Sequence, residues 1–268
     1  MFLDTFMFNG DWIVKLRLEY LFPYVDCFYI VESRYTFNGK RKETLFIEKY
    51  ADWFEPYKSK IRMIVNEQTA DPNPWVNENY HRDLVLQFIL HDMQGKEFSL
   101  AVCDCDEIYD VSKLPPKEEM LANKTEVIYT QMEIYYYRFS HRLQIEPWTM
   151  PFIVHSSLLQ SEPELTKIRV NKQIFGEPVK ARMILSGWHL SFFLRIEDIQ
   201  RKIQSFAHTE FDLPHITDKS EIERRIRDGL DVFSRVNLNI RILGELEVSE
   251  TFPALFKKYN EEILELQR

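Results

Sequence analysis

The fold is decided by residues 3–33, LDTFMFNGDWIVKLRLEYLFPYVDCFYIVES. The stretch begins with a short apolar and aromatic run (3–8) and continues with a segment of helical hydrophobic pattern (11–22). It ends in a second apolar run, CFYIVES (27–33). A strand, a helix and a strand in this order form the unit from which parallel sheets are built. The sequence therefore predicts an α/β protein that begins with a βαβ unit.

The same alternation continues through the first two-fifths of the chain. We predict a helix over 43–54, a strand over 61–65, a long amphipathic helix over 75–93 and a strand over 98–102. The strands over 27–33, 61–65 and 98–102 are apolar along their length. Such strands are typical of a sheet that is covered on both faces.

Beyond Pro115 and Pro116 the alternation becomes less regular. We predict one α/β domain over residues 1–268, with a mixed central sheet flanked by helices and a helical C-terminus. The predicted strands of this part cover 127–139, 151–159 and 181–194, and its predicted helices cover 195–206, 219–233 and 252–266.

The composition excludes several classes of protein. Forty-two acidic residues against 34 basic ones give a formal net charge of −8. No nucleic-acid or anionic-membrane surface is therefore expected, since both need clustered Lys and Arg. No two of the seven glycines lie closer than eleven positions, which excludes the phosphate loops GxxxxGK(S/T) and GxGxxG. If this protein binds a nucleotide, it does so without these glycine-rich loops.

The chain also lacks the marks of a secreted or membrane-spanning protein. Its three cysteines, Cys27, Cys103 and Cys105, are too few for a disulfide framework. No run of 18 apolar residues and no signal peptide is present. We expect a soluble cytoplasmic protein, unless an N-terminal anchor has been removed.

The clearest chemical signal is the acidic segment CDCDEIYD (103–110), which directly follows an apolar strand. In extended backbone, residues i and i+2 project to the same side, so Asp104 and Asp106 can reach one cation. Ligands of open α/β sheets bind at the carboxyl ends of the strands. Mg²⁺ and Mn²⁺ prefer oxygen ligands and bridge carboxylates to a diphosphate. The segment therefore predicts a site for a divalent cation and a diphosphate.

Two other interpretations of this segment remain open. The acidic residues can simply cap a helix that follows them, because Asp and Glu are favourable at helix N-termini. Alternatively, Cys103 and Cys105 bind a metal as thiolates, although no further cysteine cluster completes a tetrahedral site.

Several segments together resemble glycosyltransferase family 17, the bisecting N-acetylglucosaminyltransferase-like group, and follow one another in the family's order. They are FNGDWIVKLRLEYL (8–21), VDCFYIVESRYTFNGKRK (25–42), WVNENYHRD (75–83), VCDCDEI (102–108), SGWHLSFF (186–193) and KIQSFAHTEF (202–211). The resemblance implies a GT-A fold, with a nucleotide-binding half (1–110) and an acceptor-binding half with C-terminal helices (111–268). It also implies transfer of GlcNAc in a β1,4 linkage to a β-mannose of N-glycans, with inversion of the anomeric configuration.

By the same resemblance, Asp104 and Asp106 form a DxD pair that holds Mn²⁺ or Mg²⁺ against the donor diphosphate. The metal would stabilise the leaving nucleoside diphosphate as a Lewis acid. His189 in SGWHL is the candidate for a further metal ligand, and His208 in SFAHTEF is the second candidate. Gly187, beside His189, would permit a close backbone approach to the ligand.

Inverting transfer needs a general base that takes the proton of the acceptor hydroxyl. Glu210 and Glu107 are the first two candidates, and Asp110 is the third. Each of them can equally be a surface or capping acid.

Other residues are expected to bind the nucleotide sugar at the same sheet edge. Arg82 follows a Glu-Asn pair, as in the family, whereas Asn77 stands where a basic residue is expected, which leaves the donor sugar open. The expected donor contacts are Asn9, Gly10, Asp11, Glu32, Ser33, Arg34, Lys40, Arg82 and Asp104.

Trp148 and Trp188 are the candidates for binding a glycan acceptor, because sugar C–H groups pack on aromatic faces. The sequence thus predicts a metal-dependent inverting glycosyltransferase that uses a nucleotide sugar, with UDP-GlcNAc as the expected donor. The alternatives are a Mg²⁺-dependent nucleotidyltransferase and a catalytically silent carbohydrate-binding relative.

Overall fold

The computed structural model of the chain describes residues 1–235 and 238–267. Its strands are β1 (Phe2–Met7), β2 (Cys27–Ser33), β3 (Ile61–Asn66), β4 (Ser99–Val102), β5 (Glu107–Ile108), β6 (Glu126–Tyr136), β7 (His141–Leu143), β8 (Phe152–His155), β9 (Lys180–Ser191) and β10 (Ile240–Ile242). Its helices are α1 (Val14–Leu21), α2 (Phe46–Lys49), α3 (Ala51–Phe54), α4 (Pro74–Met93), α5 (Lys117–Ala122), α6 (Leu165–Val170), α7 (Ile196–Ile203), α8 (Pro214–Thr217), α9 (Lys219–Asp228), α10 (Glu245–Thr251) and α11 (Leu255–Leu266).

The strands form one mixed sheet in the order β10-β7-β6-β8-β4-β1-β2-β3, and β9 pairs with both β6 and β5. Strands β4, β1, β2 and β3 run parallel to one another. β8 is antiparallel to β4 and β6, and β9 is parallel to β6. Because the first four strands are parallel, their carboxyl ends all lie at one edge of the sheet.

The core lies on both faces of this sheet. Alternate residues of β1 enter different hydrophobic clusters, with Phe2 and Phe6 in one and Leu3 in the other, as the two-residue period of a strand requires. Strands β2 and β4 divide in the same way, which confirms the predicted burial on both faces. For β3 this prediction is wrong, because β3 ends the sheet order and leaves Met63 and Val65 exposed.

Most predicted elements are present, and their limits differ where the backbone leaves the expected conformation. The helix predicted over 43–54 is two short helices, α2 and α3, because Tyr50 between them has a non-helical φ of −116° and ψ of 33°. The helix predicted over 219–233 ends at Asp228, because Gly229 adopts a left-handed conformation.

Two predicted strands end early for a similar reason. β6 stops at Tyr136 and β9 at Ser191, since the next residues, Tyr137 and Phe192, have positive φ angles. The strand predicted over 151–159 ends at His155 and is followed by a 3-10 turn over Leu158–Gln160.

The predicted fold class, an α/β fold with a mixed central sheet flanked by helices and a helical C-terminus, is confirmed. The patterns did not reveal the short elements β5, β7, β10, α5, α6, α8 and α10. Across residues 1–235 and 238–267, no helix combines the length and the apolar character needed to cross a membrane.

Candidate active site at the carboxyl edge of the sheet

The candidate site lies where the parallel strands end. The loop after β1 carries Asn9, Gly10 and Asp11, and the loop after β4 carries Asp104 and Asp106. Since β1 and β4 are paired neighbours, these two loops leave the sheet side by side. The edge therefore collects the acidic segment and the first βα turn, as the sequence predicts.

Asp104 is bound by two arginines. Its Oδ1 accepts from Arg82 Nη2 at 3.0 Å, and its Oδ2 accepts from Arg169 Nη2 at 2.7 Å. Burial opposes ionisation of this carboxyl, but Arg169 and Arg82 outweigh it and hold the pKa of Asp104 well below its usual range. Asp104 is therefore a carboxylate at neutral pH, placed between two fixed positive charges.

Asp106 lies beside Lys202 and His189. Its Oδ2 is 2.9 Å from Lys202 Nζ, which also binds Asp11 Oδ1 at 2.8 Å. Its Oδ1 lies 3.7 Å from His189 Nε2. Burial disfavours its charge, but Lys202 and His189 lower the pKa of Asp106 below its usual value. Lys202 thus joins the loops after β1 and β4.

His189 reaches Asp106 because β9 pairs antiparallel with β5, with His189 opposite Glu107. Its Nε2 also lies 2.9 Å from Ser191 Oγ, and its ring centroid is 5.0 Å from that of Trp148. His189 Nδ1 is buried and finds no hydrogen-bond partner among residues 1–235 and 238–267. The structure therefore brings the predicted histidine to the acidic pair.

Gly187 makes the pairing of β9 with β5 possible. Its φ is +111°, and a Cβ at this position would lie 2.3 Å from the carbonyl oxygen of Ile108. Gly187 therefore lets the backbone of β9 approach the neighbouring strand β5. The sequence analysis expected a close approach to a ligand instead.

Glu107, a candidate general base, is fully buried and saturated with hydrogen bonds. It accepts from Arg169 Nη1 at 3.0 Å and Nη2 at 2.7 Å, from the backbone N–H of Asp104 at 2.6 Å and from Trp148 Nε1. With no exposure to solvent, this carboxylate braces the acidic loop instead of meeting an acceptor hydroxyl.

The other two candidate bases lie in different surroundings. Asp110 caps the 3-10 turn over Val111–Lys113, with its Oδ1 accepting from Ser112 N at 3.0 Å and from Tyr20 Oη at 3.2 Å. It therefore fills the capping role that the sequence left open. Glu210 is exposed, and its Oε1 lies 2.7 Å from His208 Nδ1. Of the three carboxylates, Glu210 is the accessible one.

Several residues expected to bind the donor have structural partners. Glu32 accepts from Lys42 Nζ and from the backbone N–H groups of Phe46 and Ile47, so it caps the first turn of α2. Arg34 pairs with Glu67, at 2.8 Å. For Lys40, the described part of the chain supplies no side-chain hydrogen bond or ion pair, and the residue is exposed.

The first βα turn is tightly packed. Asn9 Nδ2 donates to Ser205 Oγ at 3.2 Å. Gly10 has a φ of +82°, and a Cβ there would lie 2.9 Å from both Arg201 and Phe46. Asn77 donates to the carbonyl oxygens of Phe37 and Asp71, and so it binds loops where a basic residue was expected.

Two cavities open along this edge. One of about 310 Å³ lies between the ends of β2 and β3 and the start of α4, and its lining includes Ser33, Asn66 and His81. The other, of about 650 Å³, includes Asn9 and Arg201 in its lining. A further small cavity beside them is lined by Asn9, Ser33 and His81.

The two tryptophans expected at the acceptor site have different environments. Trp148 is partly exposed, donates to Glu107 and lies against His189. Trp188 is buried in the core, with its ring packed on Phe252 and Phe256. Trp188 consequently offers no ring face to an acceptor, which corrects the expectation for this residue.

Three residues of the site were missed by the sequence reasoning. Arg169 comes from α6, where no motif marks it, and Lys202 lies within the family-like segment KIQSFAHTEF, where its pairing could have been suspected. His81 precedes Arg82 in the segment WVNENYHRD and lines the 310 Å³ cavity. Their contacts join residues far apart in the chain.

Two solved structures show some likeness to this chain. A putative glucose-1-phosphate thymidylyltransferase from Bacillus anthracis, in complex with sucrose, is 10% identical, with a TM-score of 0.37 over 70% of this chain and 87% of that chain. The mannosyltransferase PcManGT from Pyrobaculum calidifontis, in complex with GDP-Man and Mn²⁺, is 10% identical, with a TM-score of 0.43 over 99% of this chain and 84% of that chain.

A search of curated proteins finds no match to this sequence. The family model of glycosyltransferase family 17, by contrast, matches residues 2–239, which is most of the chain. That range contains both loops of the site, the three cations around them, Arg82, Arg169 and Lys202, and His189. The chain belongs to glycosyltransferase family 17, and it is a glycosyltransferase.

Proposed function

We propose that this protein transfers GlcNAc from UDP-GlcNAc to a glycan acceptor, with a divalent cation and with inversion at the anomeric carbon. The observation that carries the proposal is the pair Asp104 and Asp106 at the carboxyl edge of the sheet, surrounded by Arg82, Arg169 and Lys202. Family membership supports the sugar transfer, and the charges of this pair and its neighbours support the diphosphate and the cation.

The positive charges suit a diphosphate. Arg82 and Arg169 present planar guanidinium groups, which match the geometry of phosphate oxygens. Arg169 and Lys202 both have raised pKa values, because nearby carboxylates outweigh the effect of burial, so both stay charged. A leaving diphosphate can therefore exchange places with a carboxylate at cations that are already oriented.

The side chains also fit a divalent cation. The hydrogen bond from Lys202 occupies Asp106 Oδ2 and leaves Asp106 Oδ1 facing His189 Nε2 at 3.7 Å. Carboxylate oxygen and imidazole nitrogen are ligands that Mn²⁺ accepts. Within the described ranges, no group of three His, Cys, Asp or Glu side chains is arranged to hold a metal. Mg²⁺ and Mn²⁺ often take one or two carboxylates and complete their coordination with phosphate oxygens and water.

In this proposal Asp106 and His189 would hold the cation. Asp104 would add a third ligand once one of its two guanidinium partners binds the diphosphate instead. When bound, the cation supplies Lewis-acid stabilisation of the departing diphosphate. Arg169 remains tied to Glu107, so the loop keeps its shape during the exchange.

The acceptor would enter beside Trp148. This ring is partly exposed and lies against His189, so a sugar stacked on it is next to the acidic pair. We propose Glu210 as the general base, because it is the accessible one of the candidate carboxylates, and because His208 lowers the pKa of Glu210 and keeps it ionised.

Calorimetric titration tests the donor site directly. UDP, GDP, UDP-GlcNAc, UDP-glucose and GDP-mannose are titrated into the wild type with Mn²⁺ or with EDTA, and then into Asp106→Asn. The matched control is Asp212→Asn, which removes an exposed carboxylate that forms no side-chain ion pair within the described part of the chain. We expect UDP and UDP-GlcNAc to bind with Mn²⁺, and the affinity to fall at least about tenfold in Asp106→Asn.

Two results would contradict the proposal. Equal binding with Mn²⁺ and with EDTA would remove the role of the cation. Failure of all five ligands to bind would remove the donor site, and binding to a glycan array would then favour a carbohydrate-binding relative without catalysis.

A further inference from the structure

His81 carries a buried polar atom with no structural use. The residue lies on α4 and is 5% exposed, and its Nε2 finds no partner in the part of the chain that the structure describes. A buried polar group without a hydrogen bond is costly, so most such groups in proteins are paired. This nitrogen is therefore in place for a group that the protein itself does not supply.

The position of His81 shows where that group would lie. His81 lines the 310 Å³ cavity and two smaller cavities beside it. The next residue along α4, Arg82, binds Asp104. A molecule bound at Asp104 and Asp106 would therefore lie close to this cavity and to His81.

The cavity suits a flat, polar ring. Its lining includes the aromatic side chains of Tyr35, Phe37 and Tyr80 together with the polar side chains of Ser33 and Asn66. The rings of Phe37 and His81 meet edge to face at 5.5 Å. Aromatic walls with a few polar groups are typical of sites that hold a planar heterocycle by stacking and by hydrogen bonds.

The charge state of His81 argues against a phosphate ligand at this nitrogen. Burial, together with the nearby cations Lys42 and Arg82, lowers the pKa of His81 to about 3. The imidazole is therefore neutral near pH 7, with one ring nitrogen as a donor and the other as an acceptor. A neutral imidazole suits the amide-like edge of a nucleobase better than it suits an anion.

We propose that His81 reads the edge of the nucleobase of the donor, and so determines which nucleoside diphosphate the enzyme accepts. The inference rests on the proposed function, because it places the base of the same donor whose diphosphate lies at Asp104 and Asp106. A site built to hydrogen-bond one base discriminates strongly against a base with the wrong donor and acceptor pattern.

The test compares ligands that share a diphosphate and differ in the base. UDP, CDP, GDP and ADP are titrated with Mn²⁺ into the wild type, His81→Phe and His81→Gln, with inorganic pyrophosphate as the probe without a base. His91→Phe is the matched control, because His91 is an exposed histidine of the same helix. The readout is the ratio of Kd values between the weakest and the tightest nucleoside diphosphate.

We expect the wild type to discriminate by at least about thirtyfold, and His81→Phe to reduce the ratio to about threefold or less. The Kd of pyrophosphate stays unchanged within about twofold, and His81→Gln, which keeps a hydrogen-bonding group, retains part of the discrimination.

An unchanged ratio in His81→Phe would overturn the inference and leave the proposed function standing. The same holds if the wild type binds all four nucleotides equally well, a result that needs no variant to fold. If neither the nucleotides nor pyrophosphate bind to the wild type, the donor site itself is absent, and the proposed function fails together with this inference.

Discussion

Arg169 is the residue that connects the acidic loop to the rest of the fold. Its guanidinium binds both oxygens of Glu107 and one oxygen of Asp104, at distances of 2.7 to 3.0 Å. Glu107 has no exposure to solvent and Arg169 only 5%. A charge buried to this extent depends on its partner, because water cannot replace the missing hydrogen bonds.

Replacing this arginine should therefore destabilise the protein severely. We expect Arg169→Met to lower the free energy of unfolding by about 3–5 kcal/mol, since Glu107 is left buried and unpaired. Arg182→Met is the control, because Arg182 pairs with Glu119 at the exposed surface, and its effect should stay within about 0.5 kcal/mol. Urea denaturation measures both, and equal losses would contradict the expectation.

His81 should make the stability depend on pH. Its pKa is about 3 in the folded protein, against an ordinary value of 6.5, so below pH 6.5 the unfolded chain binds a proton that the folded chain does not. Stability from this residue is complete above about pH 6.5 and is lost as the pH falls toward 3, at up to about 1.4 kcal/mol per pH unit.

Urea denaturation between pH 7 and pH 4 checks this dependence. As the pH falls, we expect the free energy of unfolding of His81→Gln to decrease less steeply than that of the wild type. The two slopes should differ by up to about 1.4 kcal/mol per pH unit, the value for one proton. The buried His141 and His155 also have lowered pKa values, so the difference between the proteins is the readout. His91→Gln should follow the wild type, and parallel curves for His81→Gln and the wild type would disprove the prediction.

Among the elements, strand β9 positions the site histidine, and one glycine of this strand makes that possible. The strand pairs with β6 over most of its length, and the register shifts between Gln131 and Glu133 of β6. Opposite that shift, Gly187 lets the backbone of β9 approach Ile108 of β5, and His189 follows two residues later. The irregularity therefore turns the strand so that the histidine meets Asp106.

A side chain at this glycine should disrupt the pairing of β5 with β9. We expect Gly187→Ala to cost about 3 kcal/mol or more, because the new Cβ meets Ile108 backbone as well as an unfavourable positive φ. Gly95→Ala is the control, since Gly95 also has a positive φ, of +80°, but nothing lies within 4 Å of its Cβ position. Its cost should be about 1 kcal/mol, and chemical denaturation compares the two.

At the scale of the whole molecule, the two predicted halves share one sheet. Strand β4 of the first half pairs with β8 of the second, and β5 pairs with β9. Helix α11 also packs on α1, where Lys15 binds Glu262 at 2.7 Å. Neither half can therefore unfold without exposing the edge of the other.

We accordingly expect the protein to unfold in a single cooperative transition. Far-ultraviolet circular dichroism and the fluorescence of Trp12, in the first half, and Trp148, in the second, should give urea midpoints that agree within about 0.2 M. Variants in which Trp12 or Trp148 is the single remaining tryptophan of the chain separate the two signals. Two resolved transitions would contradict the expectation and would indicate halves that are independently stable.

Local sequence pattern was sufficient to predict the α/β class, the first four strands and the acidic pair at a strand end. Those features depend on hydrophobic period and on residues adjacent in the chain, and both are visible in one dimension. The limits of β6 and β9 were not visible, because Tyr137 and Phe192 adopt positive φ angles that their residue types do not favour.

The environment of each site residue came from contacts between distant segments. Arg169 and Lys202 lie 65 and 96 positions after the aspartates they bind, so no spacing rule could pair them. Glu107 and Trp188 are buried, so Glu107 stabilises its loop and Trp188 packs in the core. Their sequence neighbours, Asp106 and His189, instead belong to the site. The sequence pattern predicted the position of the acidic pair at a strand end. The charged partners of that pair are known only from the folded chain, because ion pairs form between groups that are close in space and not in sequence.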